Sequence, residues 1–306
     1  MTGEAQQSVL VYDRIASNKR RTWLLMFAFV VLLGGLVTLF AWLWGVELLF
    51  TPFVFLALAI YAAFSYFASA SVTLGVSGAR QVSKEEEPEI YRIVENLSIG
   101  SGLPVPKVYV IEDSAPNAFA TGRDPKHASV AATRGLLDKL DKNELEAVMA
   151  HEMSHVGNYD IRVMTIVVVL VGLVALLADF FFRWTLLGAG RRSGNRDKGG
   201  AAGILVIVAI IAALIAPLVA QLIQMAVSRQ REYLADASGA LLCRNPDALA
   251  RALQKIAADP EPLEAANKAT AHLYISNPLK EHSSMLNNLF STHPPVAERI
   301  RLLQAM

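Results

Sequence analysis

The chain has 306 residues, of which 54% are hydrophobic and 18% are charged, with a formal net charge of +1. This apolar share exceeds that of an ordinary soluble domain and predicts a membrane protein. The near-neutral charge, with no basic stripe between aromatic residues, gives no reason to expect a nucleic-acid partner. Cys243 is the only cysteine, which excludes an intrachain disulfide and a cysteine-based zinc finger.

Two uncharged stretches near the amino terminus predict a transmembrane hairpin. Residues 23–44 and 48–74 are both longer than the roughly 20 apolar residues that cross a bilayer as a helix. A cleaved signal peptide does not fit, because its apolar core is shorter and no second span follows it at once. The segment 1–22 ends in a basic run, whereas the turn between the stretches has no basic residue. We therefore expect the amino terminus and residues 75–161 on the cytoplasmic side.

Short β-prone runs follow the hairpin. Residues 107–111, 118–121 and 129–133 are bounded by Asp, Pro and Gly, and they predict a small β-sheet.

The next predicted element is a helix that carries a metal-binding motif. Asp141 and Glu144 form a capping-box pattern at its start. His151 and His155 lie about one turn apart, so both imidazoles face one point, and Glu152 lies beside them where a general base is needed. This H-E-x-x-H spacing builds half of a zinc-hydrolase site. A chance match is the alternative, with odds on the order of one in a hundred for a chain of this length.

A second helix, over residues 228–236, offers the protein ligand that two imidazoles leave missing. Glu232 supplies a carboxylate, and Asp236 shares its helix face and could orient a ligand histidine through the free ring N–H. Taken alone, Glu232 fits a solvated carboxylate paired with Arg229 or Arg231. Its occurrence together with H-E-x-x-H favours the metal.

Two further apolar stretches, 163–182 and 204–225, predict a second membrane hairpin. His155 precedes the third stretch and Glu232 follows the fourth, so a shared zinc requires both outer ends on one side. The Gly- and Arg-rich loop 188–200 would then face away from the cytoplasm, against the usual bias of short loops. Either the first hairpin sets the orientation, or the second pair lies partly within the protein or interface without spanning.

Three segments, 151–155, 231–236 and 291–300, together resemble peptidase family M48 of integral membrane zinc peptidases. The resemblance is greatest to the bacterial HtpX-like heat-shock branch and extends over most of the chain. It implies an α-helical membrane protein with an α+β, gluzincin-like protease domain. About four transmembrane or membrane-associated helices and a small sheet are expected. The protease domain would consist of two parts, 75–161 and 226–306, interrupted by the hairpin region 162–225.

The resemblance also implies one zinc ion per chain and a role for each matching residue. Glu152 would activate water as general base and return the proton to the leaving amine. His293 and Arg299 would approach the tetrahedral oxyanion or brace the site, with a surface-turn residue as the alternative for His293. The zinc ligands would be His151, His155 and Glu232.

Residues 116–122 resemble the edge strand along which substrates of this family pair their backbone. Backbone pairing reads no side-chain sequence, which implies broad specificity. A simple turn residue is the alternative for Asn117. The substrate-binding residues would be Asn117, Ala118, Phe119 and Ala120.

The implied activity is that of a zinc metalloendopeptidase in the bacterial inner membrane, with its active site on the cytoplasmic side of the lipid bilayer. Its substrates would be polypeptides, above all misfolded membrane proteins, degraded for quality control under stress. One alternative is a CAAX-type prenyl-peptide protease of the same family, although four spans are too few for its large membrane chamber. The other is a non-catalytic scaffold or chaperone, for which Glu152 has no physical use.

Overall fold

A computed structural model describes the protein over residues 16–31, 33–35, 38, 49, 51–173, 229–266, 270–278 and 294–306. Within these residues the chain is mostly helical, with one small mixed sheet. Residues 32, 36–37 and 39–44 of the first predicted span, residues 174–182 of the third, the whole of the fourth, the loop 188–200 and His293 lie outside the described residues.

The helices are numbered here in chain order. The chain also forms two short 3-10 helices, Pro125–His127 and Ala271–Leu273. The helices are α1 (16–31), α2 (Thr51–Val76), α3 (Pro88–Ser101), α4 (Arg134–Lys139), α5 (Lys142–Gly157), α6 (Asp160–Leu173), α7 (Arg229–Cys243), α8 (Pro246–Ala258) and α9 (Val296–Leu303).

The strands are β1 (Arg80–Gln81), β2 (Lys107–Ile111), β3 (Ala118–Gly122) and β4 (Ala128–Thr133), and the three predicted runs form β2, β3 and β4 to within one residue. In the sheet they lie in the order β1-β2-β4-β3. β2 and β4 are parallel, whereas β1 pairs with β2 and β3 pairs with β4 in antiparallel fashion. β3 is therefore an edge strand of the sheet in the described part.

α5 is the central element of the described fold. Its predicted capping box is confirmed, because the Asp141 side chain accepts hydrogen bonds at the helix start and the Glu144 side chain accepts one from the Asp141 backbone. α5 packs against α3, α7, α8 and β3, and its side chains from Glu144 to Val156 are buried except for that of Glu146. Each fully buried large apolar side chain stabilises the fold by about 1.5–3 kcal/mol. The motif is thus carried by a helix held on several sides.

α2 has the character of a membrane span. It is the one helix in the described part that is long and apolar enough to cross a bilayer alone; α5 and α6, bent by 83° at their junction, pass the same test as a pair. The buried face of α2 carries small residues, namely Ala62, Ser65 and Ser69. Its outward face carries large apolar side chains at Phe53, Leu56, Ile60, Phe64 and Phe67. Such a face suits lipid contact.

α6 covers the first part of the third predicted span and begins three residues earlier than expected, at Asp160. Phe29 of α1, Ala62 of α2 and Ile166 and Leu170 of α6 pack in one apolar cluster. In its described part this stretch therefore lies inside the protein.

Candidate metal centre

Three side chains from α5 and α7 meet at one buried point. His151 Nε2 and His155 Nε2 lie 3.2 Å apart. One carboxylate oxygen of Glu232 lies 3.7 Å from His151 Nε2, and the other lies 3.7 Å from His155 Nε2. All three residues are buried. Two imidazole nitrogens and a carboxylate thus converge from two helices that are far apart in sequence.

These distances fit a tetrahedral zinc ion. With zinc bonds of about 2.0–2.2 Å to nitrogen and oxygen, two ligand atoms of a tetrahedron lie about 3.3 Å apart. The observed separations of 3.2 and 3.7 Å are close to that edge length. The donor set is also one that zinc accepts in catalytic sites, where three protein ligands leave the fourth position open.

A glycine in α7 allows Glu232 to reach the histidines. A Cβ atom at Gly239 would lie 2.8 Å from the backbone nitrogen of His151, closer than side chains tolerate. Glu232, Asp236 and Gly239 follow the i, i+4, i+7 spacing of one helix face. Gly239 therefore permits the close crossing of α5 and α7 that brings this face to the metal centre. The sequence analysis did not single out Gly239.

Asp236 and Arg299 lie behind His151. Asp236 Oδ1 is 2.9 Å from His151 Nδ1, the ring nitrogen that points away from the cluster. Arg299 is fully buried and donates two hydrogen bonds to the Asp236 carboxylate, at 2.8 and 2.7 Å. It donates a third to the Ile275 carbonyl at 2.7 Å. A carboxylate contact such as that of Asp236 with the His151 ring fixes the orientation of a ligand imidazole.

The protonation states of His151 and Asp236 suit metal binding. Burial lowers the pKa of His151, so the ring is neutral near neutral pH. The Asp236 carboxylate at Nδ1 favours the tautomer that carries its proton there and leaves Nε2 free. Burial alone would raise the pKa of Asp236, but the Arg299 guanidinium and the contact with His151 hold it below its ordinary value.

His155 has its own carboxylate partner, Asp160, which the sequence analysis missed. Asp160 Oδ2 is 3.1 Å from His155 Nδ1, and Asn18 donates a hydrogen bond of 2.8 Å to Asp160 Oδ1. The Arg231 guanidinium lies 3.4 Å from the same oxygen. The signal was present in the sequence, since Asp160 is the first carboxylate after the motif. The contact between Asp160 and His155 depends on the 83° bend between α5 and α6, which no local pattern predicts.

The carboxylates around His155 favour positive charge. Burial alone would lower the pKa of His155, but Asp160 and Glu232 raise it to about 9. A cation at this position is therefore stabilised by its surroundings.

Glu152 is buried beside the cluster. Neither of its carboxylate oxygens accepts a well-formed hydrogen bond from the residues that the structure describes. Burial raises its pKa to about 7, while the charge of His155 and the backbone of Ala120 on β3 favour the ionised form. Glu152 therefore lies between the metal centre and the sheet edge, with a pKa close to neutrality.

β3 presents only part of its free edge. The Ala118 carbonyl accepts a hydrogen bond of 3.0 Å from the Ile275 N–H. Asn117 is buried, and its side chain donates a hydrogen bond of 3.1 Å to the Ser276 carbonyl. Alternate residues of a strand direct their backbone groups to the same side, so Ala120 faces the open side next to Glu152. The Phe119 side chain points into the core, with its ring 5.1 Å from that of Tyr274.

The chain matches the sequence profile of Peptidase family M48 over residues 84–306. The protease HtpX homolog of Tropheryma whipplei (strain Twist) is 49% identical over 297 residues, covering 97% of this chain and 99% of that protein. The protease HtpX homolog of Dictyoglomus turgidum is 44% identical over 295 residues, covering 96% and 94%. Among solved structures, the crystal structure of S. mikatae Ste24p aligns with a TM-score of 0.48 at 20% identity. That alignment covers 94% of this chain and 67% of Ste24p.

Proposed function

The chain belongs to peptidase family M48 and is a membrane-bound protease of that family. From this premise we propose that it is an endopeptidase that binds one zinc ion through His151, His155 and Glu232. The observation that carries the proposal is the convergence of these three ligand atoms at tetrahedral spacing, with the buried carboxylate of Glu152 beside them.

Zinc held there would act as a Lewis acid that polarises the scissile carbonyl and makes water acidic enough to lose a proton near neutral pH. Glu152 would take that proton and pass it to the leaving amine. A pKa of about 7 suits a group that must both accept and release a proton near neutral pH.

The remaining polar residues would hold the ligands in place. Asp236 contacts His151 and Asp160 contacts His155, in each case through the ring Nδ1, so that both Nε2 atoms point to the metal. Arg299 donates two hydrogen bonds to Asp236 and is fully buried. Of the two roles that the family resemblance implies for Arg299, these contacts favour bracing over contact with the oxyanion. A role for His293 remains a prediction.

An extended polypeptide would bind along the open side of β3, with the backbone of Ala120 pairing next to Glu152. Asn117 would act by fixing the start of β3 to Ser276 rather than by touching substrate. Phe119 would contribute only its backbone, because its side chain lies in the core.

Membrane proteins that have misfolded are the proposed physiological substrates, degraded on the cytoplasmic side of the inner membrane. The exposed apolar face of α2 supports a position at the bilayer, and the basic run before the first predicted span supports the orientation. The names of the relatives support proteolysis, while the quality-control role is carried over from the family resemblance.

Cleavage of casein by the detergent-purified full chain tests the proposed activity. The Glu152→Gln variant should lose several orders of magnitude in rate, because it lacks the base but keeps all three ligands. Glu146→Gln is the matched control, since Glu146 lies on the same helix and is partly exposed. Equal rates for the wild-type and Glu152→Gln proteins would overturn the proposal.

A further inference from the structure

A second polar cluster lies where α1, α2 and the bend between α5 and α6 meet. The Arg162 guanidinium lies between two aromatic rings, 5.5 Å from the centre of Tyr66 and 5.2 Å from that of Tyr159. Lys19 Nζ lies 4.4 Å from the Tyr159 ring, and the Arg123 guanidinium lies 5.4 Å from the Phe67 ring. We call these six residues the interfacial cluster.

The interfacial cluster carries more positive than negative charge. Arg162 is only 9% exposed, yet it forms no ion pair with a carboxylate among the residues that the structure describes. Its Nε–H donates a hydrogen bond to the neutral carbonyl of Arg123. The Asp124 carboxylate lies 3.7 Å from Arg123, but it also contacts His127 at 2.7 Å. A nearly buried guanidinium without a counterion is costly, so the site favours an added anion.

The cluster's position indicates which anion is available. Trp23 of α1 stacks on Tyr66 and is 58% exposed, and Phe67 is 64% exposed. Lys19 lies one turn before Trp23, and Arg20 and Arg21 are exposed beside it. Aromatic and basic side chains together mark the level at which a helix enters the lipid headgroups. The anions concentrated at that level are phosphates of acidic phospholipids.

We propose that the interfacial cluster binds the headgroup of an anionic phospholipid, with Arg162 and Lys19 directed to its phosphate and the aromatic rings beside the glycerol and upper acyl chains. A guanidinium held between rings is pre-oriented and offers planar, charge-assisted hydrogen bonds to phosphate. The inference rests on the membrane placement proposed above. Asp160, two residues before Arg162, lies 3.1 Å from the proposed metal ligand His155.

The test measures the thermal unfolding of the full-length protein in two kinds of lipid nanodisc. One contains phosphatidylcholine alone, and in the other one third of the lipid is phosphatidylglycerol. A ligand that binds only the folded state raises Tm, so the wild-type protein should unfold several degrees higher in the acidic discs. Arg162→Gln and, separately, Lys19→Gln should lose most of that difference. Arg92→Gln is the control, because Arg92 is exposed on α3 and should keep the full difference.

An equal Tm in both discs for the wild-type protein would overturn the proposal, as would an undiminished difference in both cluster variants. Should Arg162→Gln fail to fold, Lys19→Gln and Arg123→Gln decide the matter, since both side chains are more exposed. If inorganic phosphate added to the neutral discs reproduces the whole shift, the site binds free anions and the lipid assignment is wrong. The readout involves no peptide hydrolysis. A wild-type protein that does not cleave casein but keeps the Tm difference between the two discs would therefore contradict the proposed function alone.

Discussion

Asn18 on α1 donates a hydrogen bond of 2.8 Å to Asp160, whose other carboxylate oxygen lies 3.1 Å from the ring of His155. Asn18 also donates to the carbonyl of Asn158, and it is only 4% exposed. The first helix of the described chain is thus joined to a proposed zinc ligand through one buried carboxylate. The position of α1 and the geometry of the metal centre depend on each other.

Asp160→Ala should weaken zinc binding by about 10- to 100-fold, because the ring of His155 loses the acceptor that fixes its orientation. Asp160→Asn should weaken it less, since an amide oxygen can still accept from the ring N–H. Asn18→Ala should have a smaller effect of the same sign. Competition with a chelator of known affinity measures each value. Asp138→Ala, on the exposed side of α4, serves as control. Unchanged affinity in Asp160→Ala would show that Asp160 does not position His155.

Glu232→Gln should lower zinc affinity more than any change behind the ligands, because it removes the only proposed anionic ligand. Zinc content after dialysis and the competition assay both report this loss. Glu264→Gln, an exposed carboxylate outside the site, should bind zinc like the wild-type protein. If Glu232→Gln retains full affinity, the third ligand has been assigned to the wrong residue.

Gly239→Ala should push α7 away from α5, because the added Cβ would meet the backbone of His151 at 2.8 Å. Overpacking of this kind costs about 1–3 kcal/mol of unfolding free energy, and here it also moves Glu232 away from the histidines. We expect a lower Tm together with weaker zinc binding. Gly100→Ala is the matched control: it lies in α3, where a Cβ meets only a side-chain atom at an ordinary 3.5 Å. Wild-type stability and zinc affinity in Gly239→Ala would contradict the close crossing.

Arg299→Lys should destabilise the protein, since a single ammonium cannot replace two hydrogen bonds to Asp236 and one to Ile275. Breaking a buried ion pair costs about 3–5 kcal/mol of unfolding free energy, and we expect a smaller loss here because lysine keeps the positive charge. Urea unfolding gives the free-energy change. If Arg299 instead contacts the oxyanion, Arg299→Lys will lower kcat while leaving unfolding unchanged, and the bracing role would be wrong.

Local sequence patterns were sufficient for the elements that carry the motif. The capping box at Asp141 and Glu144 fixes where α5 begins, and helix geometry alone brings His151 and His155 to one face. The β-prone runs became strands with nearly the predicted ends. In each case the controlling interactions lie within a few residues of one another.

Features that depend on contacts between distant segments were not predictable in this way. Asp160 becomes a partner of His155 only because the chain bends sharply between α5 and α6. Gly239 matters only where two helices cross, and the pairing of Ile275 with Ala118 joins segments far apart in sequence. Phe119 faces the opposite side of the sheet from Ala118 and Ala120, and both sides are covered by packed elements that no local pattern identifies.

X-ray absorption spectroscopy of the zinc-loaded full chain tests the central claim most directly. The account predicts one zinc per chain with about four nitrogen or oxygen ligands near 2.0–2.1 Å, an imidazole pattern from two histidines and no sulfur. Glu232→Gln should alter this spectrum, whereas Glu152→Gln should leave its protein ligands unchanged. A sulfur ligand, a single imidazole, or zinc bound equally well without His151 and His155 would contradict the proposed metal centre.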